Sequence, residues 1–155
     1  MTRTHEFVVT LLTWFTFVFA IDAKSAEPGP VDAGAPMKFT TTESGLKYRI
    51  LRKSAGKKPT GAHTVTVHYR GWLDDKTVFD SSYKRDKTIS FPLNGVIKGW
   101  TEGLQLIGEG GMIELEIPAK LGYGAGGVKD VIPPGATLHF LVELFKVEAT
   151  RVPRF

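Results

Sequence analysis

Cysteine is absent from all 155 residues. No disulfide, thiol nucleophile or cysteine-based metal site can exist, so the folded chain holds together by packing alone. A lipid joined to a cleavage-site cysteine is excluded for the same reason. The histidines His63, His68 and His139 show no metal-ligand spacing and have no cysteine to support them. The longest apolar run, Phe7 to Ile21, falls short of the roughly 20 residues that a membrane-spanning helix needs. No internal repeat is visible, and no charge of one sign dominates: 20 Lys and Arg stand against 16 Asp and Glu. The chain has the length of one domain and the ordinary apolar fraction of a globular one.

What is present begins with an export-like amino terminus. Met1 to Glu6 is polar and carries Arg3, Phe7 to Ile21 is apolar apart from threonines, and Ala20, Ala23, Ser25 and Ala26 are small. That layout predicts a secretory signal peptide over 1–23, with an uncleaved N-terminal membrane anchor as the alternative. Without residues 1–23 the net charge is +5, from 19 basic and 14 acidic residues. The positives gather at Arg52, Lys53, Lys57 and Lys58 and at Lys84, Arg85 and Lys87. These read as solvated loops, and no nucleic-acid partner is expected of an exported chain.

Lys24 to Thr42, with Pro28, Pro30 and Pro36 and no periodicity, is expected to be a mobile linker. Strand-like alternation follows at Glu43 to Lys53, His63 to Leu73 and Met112 to Ile117, with a short strand at Thr88 to Leu93. Gly71 marks a bulge or a close approach of backbone. Thr137 to Val147 is apolar on both faces, as a central strand would be. Asn94 to Leu106 places Val96, Ile97, Trp100 and Leu104 on one face of a short helix, with Trp100 at the floor of any site. Glycines 108, 110 and 111 stop it. Five or six antiparallel strands and one helix make an α+β domain.

Chemical motifs are few. Gly122, Gly124 and Gly127 match a dinucleotide fingerprint, but Pro133-Pro134 forbid the helix that would hold the pyrophosphate. Ser81, His68 and Asp80 could be drawn as a triad, yet no G-x-S-x-G elbow accompanies them. Glu114 and Glu116 share a strand face, expected to be a solvated edge rather than an acid–base pair. What remains is aromatic: Tyr69, Phe79, Phe91, Trp100, Tyr123 and Phe140. They read equally as plain core or as the walls of an apolar pocket.

Four blocks decide between these readings: VHYRGWLDDKTVFDSS (Val67 to Ser82), GVIKGWTEGLQL (Gly95 to Leu106), IPAKLGYG (Ile117 to Gly124) and VIPPGATLHFLVELFKVE (Val131 to Glu148). In that order they resemble the FKBP-type peptidyl-prolyl isomerase family, over about Glu43 to Glu148. The resemblance implies a twisted five- to six-stranded antiparallel sheet wrapped around one short helix, with a prolyl pocket between them. It implies Asp80, Tyr123 and Trp100 as the catalytic residues, with Trp100 as pocket floor. It implies Tyr69, Phe79, Val96, Ile97, Val131, Ile132 and Phe140 as substrate-binding residues. The Tyr123 hydroxyl and the Ile97 N–H would bond ligand carbonyls, with no cofactor and no metal.

The function so implied is acceleration of X–Pro rotation in folding proteins outside the cytoplasm, by apolar desolvation and non-covalent stabilisation of the twisted imide. The alternative is a catalytically weak proline-segment binding module or holdase. Partners would be proline-containing unfolded polypeptides and pocket-filling macrolide inhibitors. A monomer is expected, because the long N-terminal helices of dimeric relatives have no counterpart. The domain plan reads signal peptide 1–23, flexible linker 24–42, isomerase domain 43–149 and tail 150–155. Three positions depart from the family pattern. Lys76 stands where the turn after Leu73 usually has glycine, Val128 where relatives have a polar or aromatic residue, and a rim aromatic is replaced by Ile89 or supplied by Phe91.

Overall fold

The computed structural model describes residues 26–150; the expected signal peptide and most of the C-terminal tail lie outside them. Seven strands form one antiparallel sheet: β1 (Thr40–Thr41), β2 (Lys47–Arg52), β3 (His63–Trp72), β4 (Val78–Ser81), β5 (Ile89–Pro92), β6 (Met112–Ile117) and β7 (Leu138–Ala149). Their order is β1-β2-β6-β7-β3-β4, with β5 also paired to β3. The seventh strand beyond the expected six is the two-residue β1. The doubly apolar β7 is central as expected, lying between β6 and β3 along most of its length.

Alternation sorts the side chains. Val65, Val67 and Tyr69 of β3, Ile113, Leu115 and Ile117 of β6, and Leu138, Phe140 and Val142 of β7 point to the inner face and are buried. The single α-helix, α1 (Lys98–Gly103), lies across that face. Two glycines one turn apart let it sit close. A Cβ on Gly99 would fall 2.5 Å from Ile117 Cγ2, and one on Gly103 would fall 2.7 Å from Leu115 Cδ2.

The helix is shorter than the apolar spacing suggests. Leu93–Gly95 and Leu104–Leu106 are 3₁₀ turns, and Val96 and Ile97 are extended residues ahead of α1. β-Branched residues lose more than most on entering a helix, so this pair forms the lead-in. The Ile97 carbonyl accepts the first helical bonds, from the N–H groups of Trp100 (3.0 Å) and Thr101 (3.1 Å). Its own N–H precedes the helical ladder and is left to a partner outside the helix.

Two further expectations are corrected. Glu114 and Glu116 lie on an interior strand, not an edge, and face cations of β2: Arg49 Nη2 to Glu114 Oε2 at 2.5 Å and Lys47 Nζ to Glu116 Oε1 at 2.6 Å. The expected mobile linker is laid across the outer face of the sheet from Gly29 onward. Gly29 N–H donates to Glu143 Oε1 (2.9 Å), Asp32 N–H to the Leu51 carbonyl (2.8 Å), and Arg52 Nη1 to the Pro30 carbonyl (3.0 Å). Ala35 and Trp72 pack on Leu51, Met112 and Leu141, an apolar cluster that the outer face would otherwise show to water.

At the centre of this cover lies Glu143, only 4% exposed. Its carboxylate takes Gly29 N–H, the Arg52 guanidinium (2.8 Å) and the Tyr83 hydroxyl (2.6 Å). Burial works to raise its pKa, but these three donors and the Arg52 charge outweigh burial and hold it below the ordinary value. Burial, then the hydrogen bond to Glu143, pushes the Tyr83 phenol up.

Candidate active site

A cavity of about 560 Å³ opens between α1 and the inner face of the sheet. Trp100 is its floor, 5% exposed and ringed by aromatics. Phe140 of β7 meets the indole edge to face at 5.1 Å between centroids and 88°, Tyr69 of β3 at 5.3 Å and 82°, and Phe91 of β5 tilted at 5.5 Å. Edge-to-face contacts of this kind fix ring positions beyond what area burial alone would do. Phe79 of β4 stands against Phe140 at 5.5 Å. Val96 and Ile97 form the wall ahead of the helix, and Tyr123, 45% exposed, stands at the mouth. Trp100 Nε1 is buried and has no hydrogen-bond partner among the described residues.

The close approach expected at Gly71 is part of this construction. A Cβ there would lie 2.6 Å from Phe79 Cζ and 2.7 Å from Phe140 Cε1. The β3–β4 register also shifts between Gly71 and Trp72. Both rings reach their positions because the residue between them has no side chain.

One polar cluster breaks the apolar lining. The Tyr69 hydroxyl donates to Asp80 Oδ2, Arg85 Nη1 pairs with Asp80 Oδ1 at 2.5 Å, and Arg85 Nη2 donates to the Tyr69 oxygen at 3.1 Å. Partial burial alone would raise the Asp80 carboxyl. The hydrogen bonds from Arg85 and Tyr69, with the Arg85 charge, outweigh it and hold Asp80 below the carboxylate range. Burial, followed by the hydrogen bond to Asp80, pushes the Tyr69 phenol up. Asp80 is therefore an ionised acceptor at neutral pH, with both oxygens engaged. It is placed to orient a wall and not to exchange protons.

Eight of the ten residues named from the resemblance line this cavity: Tyr69, Phe79, Asp80, Val96, Ile97, Trp100, Tyr123 and Phe140. Val131 and Ile132 do not. They belong to a separate groove of about 460 Å³ beside Leu73, Val128, Pro133 and Pro134. There Val131 is half exposed and Ile132 is buried in the core. The cause is a tight hairpin in which Val128 and Ile132 exchange both backbone hydrogen bonds at 2.8 Å, with Asp130 at a positive φ of 61°. The hairpin carries Val131 away from the mouth.

Arg85, Gly95, Ile89 and Phe91 complete the site without having been among the ten. Arg85 was hidden in a charged run; its signal is the spacing of five residues from Asp80, which a tight turn closes. Ile89 and Phe91 are not alternatives. Two apart on β5, they share a strand face, and both line the cavity.

The drawn triad does not assemble. His68 Nδ1 meets Ser82 Oγ at 2.8 Å, not Ser81, and stacks on Tyr83. Ser82 is fully buried and tied to the backbone of Tyr69. His139 pairs with Asp74 at 2.7 Å and stacks on Trp72. Among the described residues no group of three or more His, Asp or Glu is placed to hold a metal.

With fold and cavity in place, known proteins of the same build can be compared. The family described as FKBP-type peptidyl-prolyl cis-trans isomerase matches residues 55–145, more than half of the chain. The chain is 50% identical over 109 residues to the probable isomerase FkpA of Neisseria meningitidis, and 48% identical over 108 residues to FkpA of Escherichia coli. Each match covers 70% of this chain, which spans only 40% of the length of either relative. The crystal structure of Escherichia coli FkpA superposes with a TM-score of 0.72 at 45% identity, covering 75% of this chain and 54% of that one. A Pseudomonas syringae peptidyl-prolyl isomerase gives 0.68 at 34%, covering 73% of this chain and 83% of its own. The four sequence blocks, the sheet around one short helix and the tryptophan-floored cavity thus fall together, and the chain belongs to the FKBP-type peptidyl-prolyl cis-trans isomerase family.

Proposed function

We propose that the chain is a peptidyl-prolyl cis-trans isomerase acting on proline-containing segments of unfolded polypeptides. The observation that carries the proposal is the cavity itself. It has aromatic rings on three sides of a buried indole, and its single lining carboxylate is already bonded to Tyr69 and Arg85. Such a site has little to offer proton transfer and much to offer desolvation.

Rotation about an X–Pro bond meets a barrier of about 20 kcal/mol because the planar amide is resonance-stabilised. The planar form is the more charge-separated, so moving it from water into an apolar cavity raises it more than the twisted form. A ring seated on Trp100 between Phe79, Phe91 and Phe140 is held by shape. The Ile97 N–H and the exposed Tyr123 hydroxyl supply donors for flanking carbonyls. Contacts that fit the twisted imide better than either planar isomer lower the barrier, about tenfold for each 1.4 kcal/mol. Asp80 holds Tyr69 and Arg85 so that this wall stays fixed.

The proposal extends to action as a monomer and to pocket-filling macrolides as competitors for the cavity. The segment Met1 to Ala23 supports export, with retention as an anchor the alternative; among the described residues no helix is long and apolar enough to cross a membrane. Mass spectrometry of the mature protein's amino terminus separates the two.

A protease-coupled assay on a prolyl peptide tests the activity. The chain should accelerate isomerisation, and Trp100→Ala should lower kcat/KM by at least tenfold. An unaccelerated reaction, with unfolded protein nonetheless bound, would make this chain a proline-segment receptor instead.

A further inference from the structure

Beside the cavity, and sharing its Phe79 and Asp80, lies a shallower groove of about 200 Å³ bounded by Val78, Ser81, Lys84 and Arg85. A substrate whose proline fills the cavity leaves it in both directions at about 3.3 Å per residue, so a neighbouring side chain reaches this groove within one or two positions.

The groove is electrostatically one-sided. Among the described residues Asp80 is the only carboxylate lining either hollow, and both its oxygens are taken. Arg85 gives Nη1 to Asp80 and Nη2 to Tyr69, while its side chain stays 49% exposed, leaving Nε–H and outer donors for a further acceptor. Lys84 has no carboxylate partner among the described residues, and its backbone is steadied by Ser81 Oγ. The loop Lys84 to Lys87 carries three cations and one carboxylate, Asp86. Val78, 36% exposed, and Phe79 give an apolar bed for a short methylene stem below these cations.

Resting on the isomerase reading, we propose that this groove is a specificity subsite for an acidic side chain, Asp or Glu, at a position flanking the substrate proline. Lys84 and Arg85 meet its carboxylate, and Val78 and Phe79 carry its stem. The chain thereby favours acidic proline segments over basic ones.

Peptides with one proline, and with Glu, Lys or Leu placed in turn at each of the two positions before and after it, test the subsite. NMR exchange spectroscopy reads the catalysed isomerisation without a coupling protease. Glu should exceed Lys in kcat/KM by about three- to fivefold at one position, and the ratio should fall towards one in about 0.5 M salt. Lys84→Glu should invert the ratio. Equal or better turnover of Lys at all four positions, or an unchanged ratio in Lys84→Glu, overturns the subsite while Leu turnover leaves the isomerase reading standing. Failure to accelerate any peptide, those with Leu included, overturns both.

Discussion

Replacing Glu143 by Gln isolates the charge of the outer-face cluster at almost no change in volume. The carboxylate accepts Gly29 N–H and the Tyr83 hydroxyl on Oε1 and the Arg52 guanidinium on Oε2. If the Gln oxygen keeps the first two, its NH₂ faces Arg52 across 2.8 Å, donor against donor. The loss is one charge-assisted hydrogen bond, about 1.5–3 kcal/mol, and a guanidinium left poorly paired. We expect about 3 kcal/mol of destabilisation, or roughly 10 °C in Tm for a domain of this size.

The pH dependence gives the sign. Glu143 has a folded pKa below its ordinary 4.5, so its stabilisation is present above that value and is lost as pH falls through the folded value. The wild type should lose stability on acidification through this window more steeply than Glu143→Gln. Thermal unfolding followed by tryptophan fluorescence between pH 3 and pH 7 measures both effects, and amide exchange at Gly29 and Asp32 should speed in the variant. Equal melting of the two proteins at pH 7, with parallel pH curves, would refute the reasoning.

Arg85→Met should raise the Asp80 pKa towards the ordinary carboxylate value, so the acid limb of kcat/KM should begin at higher pH than in the wild type. The stability change should stay below about 1 kcal/mol, because both side chains are more than a third exposed and water screens the pair. Gly99→Ala should destabilise by about 1–3 kcal/mol in a denaturant titration despite alanine's better helix propensity, since its Cβ lands 2.5 Å from Ile117. Lys76→Gly should do the opposite in the same titration: Lys76 sits at φ 70° in the turn after Leu73, and relief of that conformation should stabilise by up to about 1 kcal/mol.

Alternation made β3, β6 and β7 legible, since one face of each meets the core and a slip of one residue would invert it. Apolar spacing overstates the helix, because Ile97, Trp100 and Leu104 keep helical spacing whether or not the first of them is helical. Spacing reports which residues are buried together; it does not report backbone angles. The cover from Gly29 to Thr41 left no pattern, because it is held by backbone groups meeting Glu143, Arg52 and Leu51 and by scattered side chains, Asp32, Ala35 and Phe39, that share no period. The cavity draws on β3, β4, β5, α1 and its lead-in, the Tyr123 loop and β7. No local period joins these segments, and only the family resemblance gathered them. Val131 lies instead along the adjoining groove, in a hairpin set by Val128, Asp130 and Ile132.

The cover on the outer face also fixes where the polypeptide enters the domain. Gly29 is fastened to Glu143 on the side of the sheet opposite α1, and β1 then joins the far edge beside β2. Gly29 to Asp32 are thus fastened behind the sheet, on the face away from the cavity. Cover and cavity therefore occupy opposite faces of one sheet, and the contacts that anchor Gly29 touch none of the residues lining the cavity.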